Sequence, residues 1–170
     1  MVEIIQAEHA VLRETAKEVP PKDIGGSKIK KVLKDMKEAL ASQDDGVAIA
    51  APQISVSLRI FIVAGKFFDY AQEAEKGTNQ DLVFINPVIS KLSKDKDDME
   101  EGCLSIRWKY GKVFRSTKAT VTAYDEQGKK FSYNATGILA QIFQHETDHL
   151  DGVLFIDKAH DVADIIPEHE

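Results

Sequence analysis

Cysteine is almost absent from this sequence, because Cys103 is the only one among 170 residues. A lone cysteine excludes an intrachain disulfide framework and leaves the thiol as a small buried hydrophobe, a nucleophile or a metal ligand.

Long apolar runs are also missing. The longest, near 47–51 and 60–64, are far shorter than the ~18 residues that a membrane span requires, and the acidic Glu3 is unlike the start of a secretory leader. We therefore expect a cytoplasmic protein with no membrane partner.

An excess of positive charge is absent as well. The chain has 22 basic and 28 acidic side chains, which gives a net charge of −6 at pH 7. A surface that binds DNA by neutralising its phosphates is therefore not expected. Hydrophobic residues make up 43% of the chain and charged residues 29%, proportions that exclude a disordered or collagen-like protein. Since no repeat or linker divides the sequence, we predict that residues 1–170 form a single domain.

Helical and strand patterns follow one another along the chain. Apolar residues from Ile29 to Leu40 recur at helical spacing, with five lysines on the other faces, and this predicts an N-terminal amphipathic helix with Ser27 as its N-cap. A second helix is predicted between Thr136, its capping residue, and Asp151. Between the two helices, β-rich sequences predict strands at 58–64, 82–86, 88–92, 117–124 and 129–133.

The order of these elements predicts an α+β fold, in which antiparallel strands pack around the second helix. The runs at 117–124 and 129–133 are expected to form a hairpin, because turn-forming residues separate them. Residues 65–81 are mostly polar and predict a surface loop. Residues 158–170 predict a short acidic C-terminal tail.

The second predicted helix contains the sequence His145-Glu146-Thr147-Asp148-His149, which is the HExxH pattern. Two histidines four residues apart lie on one helical face, so both imidazoles can reach one metal ion. Glu146 projects about 100° around the helix, where its carboxylate can reach a water molecule beside the metal without being a ligand. The alternative is a pair of half-buried histidines that only form hydrogen bonds. We favour a metal site, because HExxH seldom arises by chance in a chain of this length.

A catalytic site of this kind needs a third protein ligand. A metzincin would have a histidine where this chain has Phe155, which excludes that class. Upstream, Cys103 offers a thiolate, although burial as a small hydrophobe is the commoner fate of a free cysteine, so both roles stay open on this ground alone. Downstream, the remaining candidates are the carboxylates of Asp157, Asp161, Asp164, Glu168 and Glu170.

A third segment of interest runs from Gly46 to Gln53 and consists of small apolar residues that end in an amide. Small side chains let a backbone approach a ligand closely, and a glutamine amide can donate to an oxyanion. The alternative is a tightly packed connection between a helix and a strand, with Gln53 as its solvated end.

Together the three segments resemble the peptide deformylases, whose motifs read GxGxAAxQ, EGCLS and QHExDHL in this order. EGCLS matches at every position of 101–105, and QHExDHL matches over 144–150. The first motif matches at its remaining positions but has Ala48 where the family has its second glycine. On these motifs the chain is identified as a member of that family, and the resemblance extends over most of its length.

The resemblance implies a hydrolase that removes the N-formyl group from the formylmethionine of nascent polypeptides and releases formate. Cys103, His145 and His149 would hold one divalent metal ion, Fe²⁺ in many members, with Zn²⁺, Ni²⁺ or Co²⁺ also accepted by such ligands. The implied partners are formylmethionyl nascent peptides and the ribosome exit region. The lysines of the first helix could provide a basic surface for contact with the ribosome, but a solvated helix face is the simpler interpretation.

The resemblance also assigns roles within the site. Glu146 would act as general base and then as general acid, while the Gln53 amide and the Leu104 N–H would stabilise the oxyanion. Arg115 and Asp148 would form either a pair behind the ligands or an ordinary surface salt bridge. The residues expected to bind substrate are Gly46, Val47, Ala48, Glu101, Gly102, Ile138 and Ile142.

Two other functions remain open on the sequence. An HExxH metalloprotease would cleave internal peptide bonds and take its third ligand from the tail. A non-catalytic relative of the deformylases would draw its support from Ala48 alone.

Overall fold

The computed structural model describes residues 1–71 and 80–168, and within them the chain forms helices and strands in α+β order. The α+β class predicted from the sequence is confirmed. The helices are α1 (Ser27–Ala41), α2 (Gly65–Ala71) and α3 (Gly137–Leu150). The strands are β1 (Ala48–Ala50), β2 (Ile60–Val63), β3 (Leu82–Leu92), β4 (Lys96–Gly102), β5 (Lys109–Ser116), β6 (Lys118–Tyr124), β7 (Lys130–Thr136) and β8 (His160–Asp164).

The strands form two antiparallel sheets. The larger has five strands in the order β1-β2-β3-β6-β7, and the smaller has three in the order β4-β5-β8. The predicted hairpin is β6–β7, in which Lys118 pairs with Thr136 and Tyr124 with Lys130. Because β1 lies at the end of the larger sheet, one of its backbone edges pairs with no strand of that sheet.

The larger sheet is covered by a helix on each face. Along β2, Phe61 and Val63 belong to the apolar cluster that contains Phe143 of α3, while Ile60 and Ile62 belong to the cluster that contains Met36 of α1. Every residue of β2 is therefore buried, which explains why this strand is a continuous apolar run rather than an alternating one. Because one side of α3 packs on the larger sheet, its opposite side faces the smaller sheet.

Aromatic side chains occupy the middle of the interface between α3 and the larger sheet. The ring centroids of Phe61 and Phe84 lie 4.5 Å apart, and those of Phe84 and Phe143 lie 5.1 Å apart. Offset and edge-to-face contacts of this kind add to the free energy of burial. They hold α3 in a fixed position against β2 and β3.

The helix starts differ from the prediction in detail. Ser27 is the first residue of α1 and Gly26 occupies the cap position, so the prediction of Ser27 as N-cap is wrong. Thr136 does precede α3, but its side chain makes no capping hydrogen bond.

None of the described helices has the length and apolar character needed to cross a bilayer.

Several strands were not expected from the sequence. β4 and β8 are mostly exposed, and the buried positions of β5 include Gly111, Arg115 and Ser116. None of the three strands therefore shows a regular apolar alternation in its sequence. The prediction of a tail over 158–170 is therefore wrong at β8, which pairs with β5. The prediction of a loop over 65–81 is wrong at 65–71, which form α2, and residues 72–79 lie outside the described part of the chain.

The runs predicted at 82–86 and 88–92 form the single strand β3. They are separated by an irregularity at Asn86, whose φ is 51°. The Asn86 side chain accepts a hydrogen bond from the Val19 N–H and donates one to the Val19 carbonyl, at 2.8 and 2.7 Å. The irregular residue thus ties the strand to the N-terminal segment.

We predict that Phe84→Ala lowers the free energy of unfolding by ~3–5 kcal/mol, because the substitution removes a fully buried ring and leaves a cavity. Phe114→Ala is the matched control, since Phe114 is 62% exposed, and it should cost less than about 1 kcal/mol. Urea titration followed by circular dichroism measures both. Equal losses in the two variants would contradict the assigned position of the core.

Candidate metal and catalytic site

Two elements bring the three predicted metal ligands together. His145 and His149 lie on α3, one turn apart, and Cys103 directly follows β4. The thiol and one nitrogen of each imidazole all lie within 4.8 Å of one another, and Cys103 Sγ is 3.2 Å from His149 Nε2. Among residues 1–71 and 80–168, this is the one group of three or more Cys, His, Asp or Glu side chains arranged to hold a metal ion.

The chemistry of these donors fits a divalent cation. His145 Nδ1 lies 2.5 Å from Glu101 Oε1. Because an ionised carboxylate only accepts hydrogen bonds, Nδ1 carries the proton, and the lone pair of Nε2 is free to bind a metal ion. Burial lowers the pKa of His149 well below its usual value, which keeps its imidazole neutral. One thiolate and two neutral imidazoles form a ligand set that zinc and other transition metals accept.

The surroundings of His145 favour positive charge at this position. Burial opposes a charged imidazole, but hydrogen bonds with Cys103 and Glu101 outweigh it and raise the pKa of His145 well above its usual value. A cation held at Nε2 would take the place of a proton beside Cys103, while Nδ1 keeps its hydrogen bond to Glu101. The site is therefore suited to a cation in its charge as well as in its donors.

Glu101 is held by a buried network. Arg115 Nε and Nη2 donate to its two oxygens at 3.1 and 2.6 Å, and Gln141 Nε2 donates at 3.2 Å. Burial alone would raise its pKa, but the hydrogen bonds from His145 and Arg115 lower the pKa of Glu101 to about 2. Arg115 also donates to Asp148 at 2.7 Å. Because the Arg115 side chain is only 3% exposed, this pair lies behind the ligands and is not an ordinary surface salt bridge.

Glu146 lies beside the ligands without belonging to their set. Its Oε1 is 3.9 Å from His145 Nε2, and its Oε2 is buried with no hydrogen-bond partner among the described residues. Burial raises the pKa of Glu146 to about 7. A carboxyl group whose pKa is near neutral can both accept and return a proton.

Gln53 is buried next to the thiol, so the alternative of a solvated end is wrong. Its Oε1 accepts a hydrogen bond from the Ala50 N–H at 2.8 Å, and its Nε2 donates to Ser105 Oγ at 3.1 Å. Nε2 also donates to Cys103 Sγ at 3.7 Å, which directs its second proton toward the cluster of Cys103, His145 and His149. The orientation of the amide is fixed at both ends.

Leu104 directly follows Cys103, the predicted thiolate ligand. No hydrogen bond among the described residues uses the Leu104 N–H, so this donor remains available. It lies in a turn closed by the hydrogen bond from the Ile106 N–H to the Cys103 carbonyl, at 3.0 Å. An unpaired N–H next to a metal ligand is a ready donor for a developing oxyanion.

A cavity of about 370 Å³ opens next to these groups. Ile138 is 61% exposed, which places it at the mouth of the cavity. Gly46 is not among the lining residues; its N–H donates to the Gln43 carbonyl at 3.1 Å. The predicted substrate-binding residues that do line the cavity are Val47, Ala48, Glu101, Gly102, Ile138 and Ile142.

Ala48 occupies an ordinary extended conformation in β1. The described non-glycine residues with positive φ are Ser55, Asn86 and Asp161, so the backbone at Ala48 does not need glycine. Ala48 lines the cavity and is also part of the buried apolar cluster that contains Phe61.

Three of the five tail carboxylates that a protease could use as a third ligand are paired elsewhere, and Glu170 lies outside the described residues. Asp157 pairs with Arg13 at 2.5 Å, and Asp164 pairs with Lys109 at 2.9 Å. Asp161 lies 3.3 Å from His160. Within the described residues, none of these carboxylates joins the cluster of Cys103 and the α3 histidines.

Sequence reasoning missed the glutamines that position α3. Gln144 accepts from the Ser116 N–H and donates to the Ser116 carbonyl, both at 2.9 Å, and so fixes α3 to β5. Gln141 donates to the Glu100 carbonyl at 2.8 Å. The sequence did contain a signal, because Gln141 and Gln144 are polar residues on an otherwise apolar side of the predicted helix. Buried amides must find hydrogen-bond partners, so both indicated contacts with a neighbouring element.

Comparisons with known proteins agree with this geometry. The sequence profile of the family described as "Polypeptide deformylase" matches residues 1–164. The chain belongs to this family. Its members are metal-dependent hydrolases, and the cluster of Cys103, His145 and His149 is a possible metal site in this chain.

Individual relatives extend over most of the chain. It is 41% identical over 163 residues to "Peptide deformylase 1A, chloroplastic/mitochondrial" of Arabidopsis thaliana, covering 92% of this chain and 60% of the relative. It is 38% identical over 157 residues to a peptide deformylase of Desulforudis audaxviator, covering 92% of each. The crystal structure of the Acinetobacter baumannii peptide deformylase bound to Met-Ala-Ser superposes with a TM-score of 0.80 at 29% identity, covering 92% of this chain and 97% of the other.

We predict that Cys103→Ala lowers metal affinity by more than ~10²-fold, since even the partners of metal ligands are each worth ~10–100-fold. Elemental analysis after dialysis of the metal-loaded protein measures the loss. His160→Ala is the control, because His160 is paired with Asp98 on the surface and should leave the metal content unchanged. Full occupancy in Cys103→Ala would contradict the ligand assignment.

Proposed function

We propose that this chain, as a single catalytic domain over residues 1–170, hydrolyses the N-formyl group of formylmethionyl peptides to formate and a free amino terminus. The observation that carries the proposal is the position of Glu146. Its carboxylate is buried, has a pKa near neutral, and lies beside the ligand cluster without a hydrogen-bond partner on Oε2. That arrangement provides a base for activating water next to a cation.

Cys103, His145 and His149 are proposed to hold one divalent ion, with Fe²⁺ as the resident metal and Zn²⁺, Ni²⁺ or Co²⁺ as substitutes. When bound, such an ion supplies Lewis-acid chemistry, which polarises a carbonyl and lowers the pKa of water. Glu101 holds the His145 ring through Nδ1. Arg115 keeps Glu101 ionised, and so supports the ligand indirectly.

The protein groups then divide the reaction between them. Glu146 accepts a proton from the attacking water as its oxygen bonds to the formyl carbon. The Gln53 amide and the Leu104 N–H donate to the resulting oxyanion. Glu146 returns the proton to the amine nitrogen as the carbon–nitrogen bond breaks, which yields formate and the free amine.

The cavity and the sheet edge suit a formylmethionyl peptide. Val47, Ile138 and Ile142 give the cavity an apolar wall, as an unbranched thioether side chain requires. β1 lies at the edge of its sheet, so its backbone can pair with an extended peptide. The Met-Ala-Ser peptide bound by the Acinetobacter baumannii enzyme belongs to the same chemical class.

The proposed setting is the cytoplasm, at the ribosome exit region, where formylated amino termini emerge. The lysines of α1 are the basic side chains to test for that contact, although Lys31, Lys34 and Lys37 each pair with an acidic side chain, as a solvated face would have them. Co-sedimentation with ribosomes at increasing salt would test it, because a contact with ribosomal RNA should weaken as salt rises.

Formate release from formyl-Met-Ala-Ser by anaerobically prepared, Fe²⁺-loaded protein tests the proposed activity. We predict release from this peptide and no cleavage of its internal peptide bonds. Glu146→Gln should retain the metal but release formate ~10²-fold or more slowly, since the amide cannot accept the proton of water.

The matched control is Glu126→Gln, the same change at a carboxylate that pairs with Lys37 at 2.7 Å, and it should leave the rate unchanged. Loss of metal from Glu146→Gln would make Glu146 a structural residue or a ligand. Near-normal formate release by that variant would remove it from the mechanism. Cleavage of internal peptide bonds by the unmodified protein would instead identify a protease.

A further inference from the structure

Two consecutive residues near the N-terminus contact the main-chain carbonyls of Gln53 and Leu104, the two residues proposed to stabilise the oxyanion. The Ile5 N–H donates to the Gln53 carbonyl at 2.9 Å. The Gln6 side chain donates through Nε2 to the Leu104 carbonyl at 3.1 Å. Its Oε1 accepts a hydrogen bond from the Arg107 N–H at 3.3 Å. One short segment of chain thus connects residues that are far apart in the sequence.

Two hydrogen bonds hold the peptide planes on either side of the Leu104 Cα, and Gln6 makes one of them. On one side, the Cys103 carbonyl accepts from the Ile106 N–H at 3.0 Å. Because the N–H and C=O of a trans peptide point in opposite directions, this bond aims the Leu104 N–H away from the turn. On the other side, Gln6 holds the Leu104 carbonyl. With both planes held, the direction of the Leu104 N–H is set.

Gln6 is the one described side chain that bonds to the Leu104 carbonyl. Without it, the turn would keep its hydrogen bond to the Cys103 carbonyl but lose the contact that orients the second peptide plane. Gln6 is half-buried, so solvent could satisfy the Leu104 carbonyl but would not fix its direction. A water molecule also cannot bridge the Leu104 carbonyl and the Arg107 N–H with the rigidity of a planar amide.

We infer that Gln6 is a positioning residue for the oxyanion donor at Leu104, an inference that rests on the proposed deformylase function. Its amide acts on the reaction through the Leu104 N–H and touches neither the substrate nor the metal ligands. Since the oxyanion is present in the transition state and absent from the bound substrate, the loss of this contact should act on kcat more than on KM.

Gln6→Met tests the inference, because methionine keeps the length and unbranched shape of glutamine but forms neither hydrogen bond. We expect kcat for formyl-Met-Ala-Ser to fall about 10-fold, less than the ~10²–10³-fold cost of removing an oxyanion donor outright. KM and metal content should stay within about 2-fold of the unmodified protein. Gln6→Glu is the second variant; it keeps the acceptor for Arg107 but cannot donate to Leu104, so kcat should fall similarly.

Gln43→Met is the matched control. Gln43 is also half-buried, and its Oε1 accepts from the Arg107 guanidinium at 2.8 Å while its Nε2 donates to Ser42 at 3.0 Å. This amide loses two hydrogen bonds, against three for Gln6, whose Nε2 also donates to the Ile4 carbonyl at 3.5 Å, and it touches neither Leu104 nor Gln53. The control should therefore leave both kcat and KM unchanged.

An unchanged kcat in both Gln6 variants, with an active unmodified protein, would overturn the inference and leave the proposed function intact. Equal losses in the Gln6 and Gln43 variants would also overturn it, because they would show a general structural effect. If the unmodified protein releases no formate with any of the four metals, the proposed function fails first. A fall in kcat confined to the Gln6 variants supports the inference.

Discussion

The buried carboxylate of Glu101 is the group on which the rest of the site depends. It accepts hydrogen bonds from His145, Arg115 and Gln141, so a charge that would cost several kcal/mol in isolation is fully paired. Through His145 it selects which ring nitrogen is free to bind a metal. Through Arg115 it connects to Asp148 on α3, and so joins the end of β4 to the helix that carries the histidines.

The two sheets have separate tasks in this arrangement. The larger sheet supports α3 through the aromatic contacts of Phe61, Phe84 and Phe143, and its edge strand β1 borders the cavity. The smaller sheet delivers the Glu101–Ser105 segment to α3, where Gln144 fixes the helix to Ser116 of β5. The site forms where the two meet, so its geometry depends on packing from both sides. The N-terminal segment closes this junction by contacting Gln53 and Leu104 together.

The sequence predicted the parts of the fold that leave a local signal. The apolar spacing of 29–40, the runs at β2 and β6, and the three motifs each depend on residues close together in the chain, and the α+β class and the family are confirmed. β4 and β8 left no such signal because their side chains are largely exposed, and β5 left none because its buried face carries Gly111 and Arg115 beside Val113. The contact of Gln6 with Leu104 spans 98 positions of sequence, and no local pattern reports a pair of that kind. Gly46 was placed among the substrate-binding residues by its motif alone, but it lies against Leu40 and Gln43 and is not among the residues that line the cavity. The identity of the resident metal and the roles of the site residues stay predictions.

X-ray absorption spectroscopy of the Zn²⁺-loaded protein tests most directly whether one thiolate and two imidazoles hold the ion. With Cys103, His145 and His149 as ligands, the spectrum should show one sulfur at ~2.3 Å and two imidazole nitrogens at ~2.0–2.1 Å, with a light atom from solvent in the remaining position. A coordination shell without sulfur, or with a protein carboxylate in its place, would contradict this ligand set.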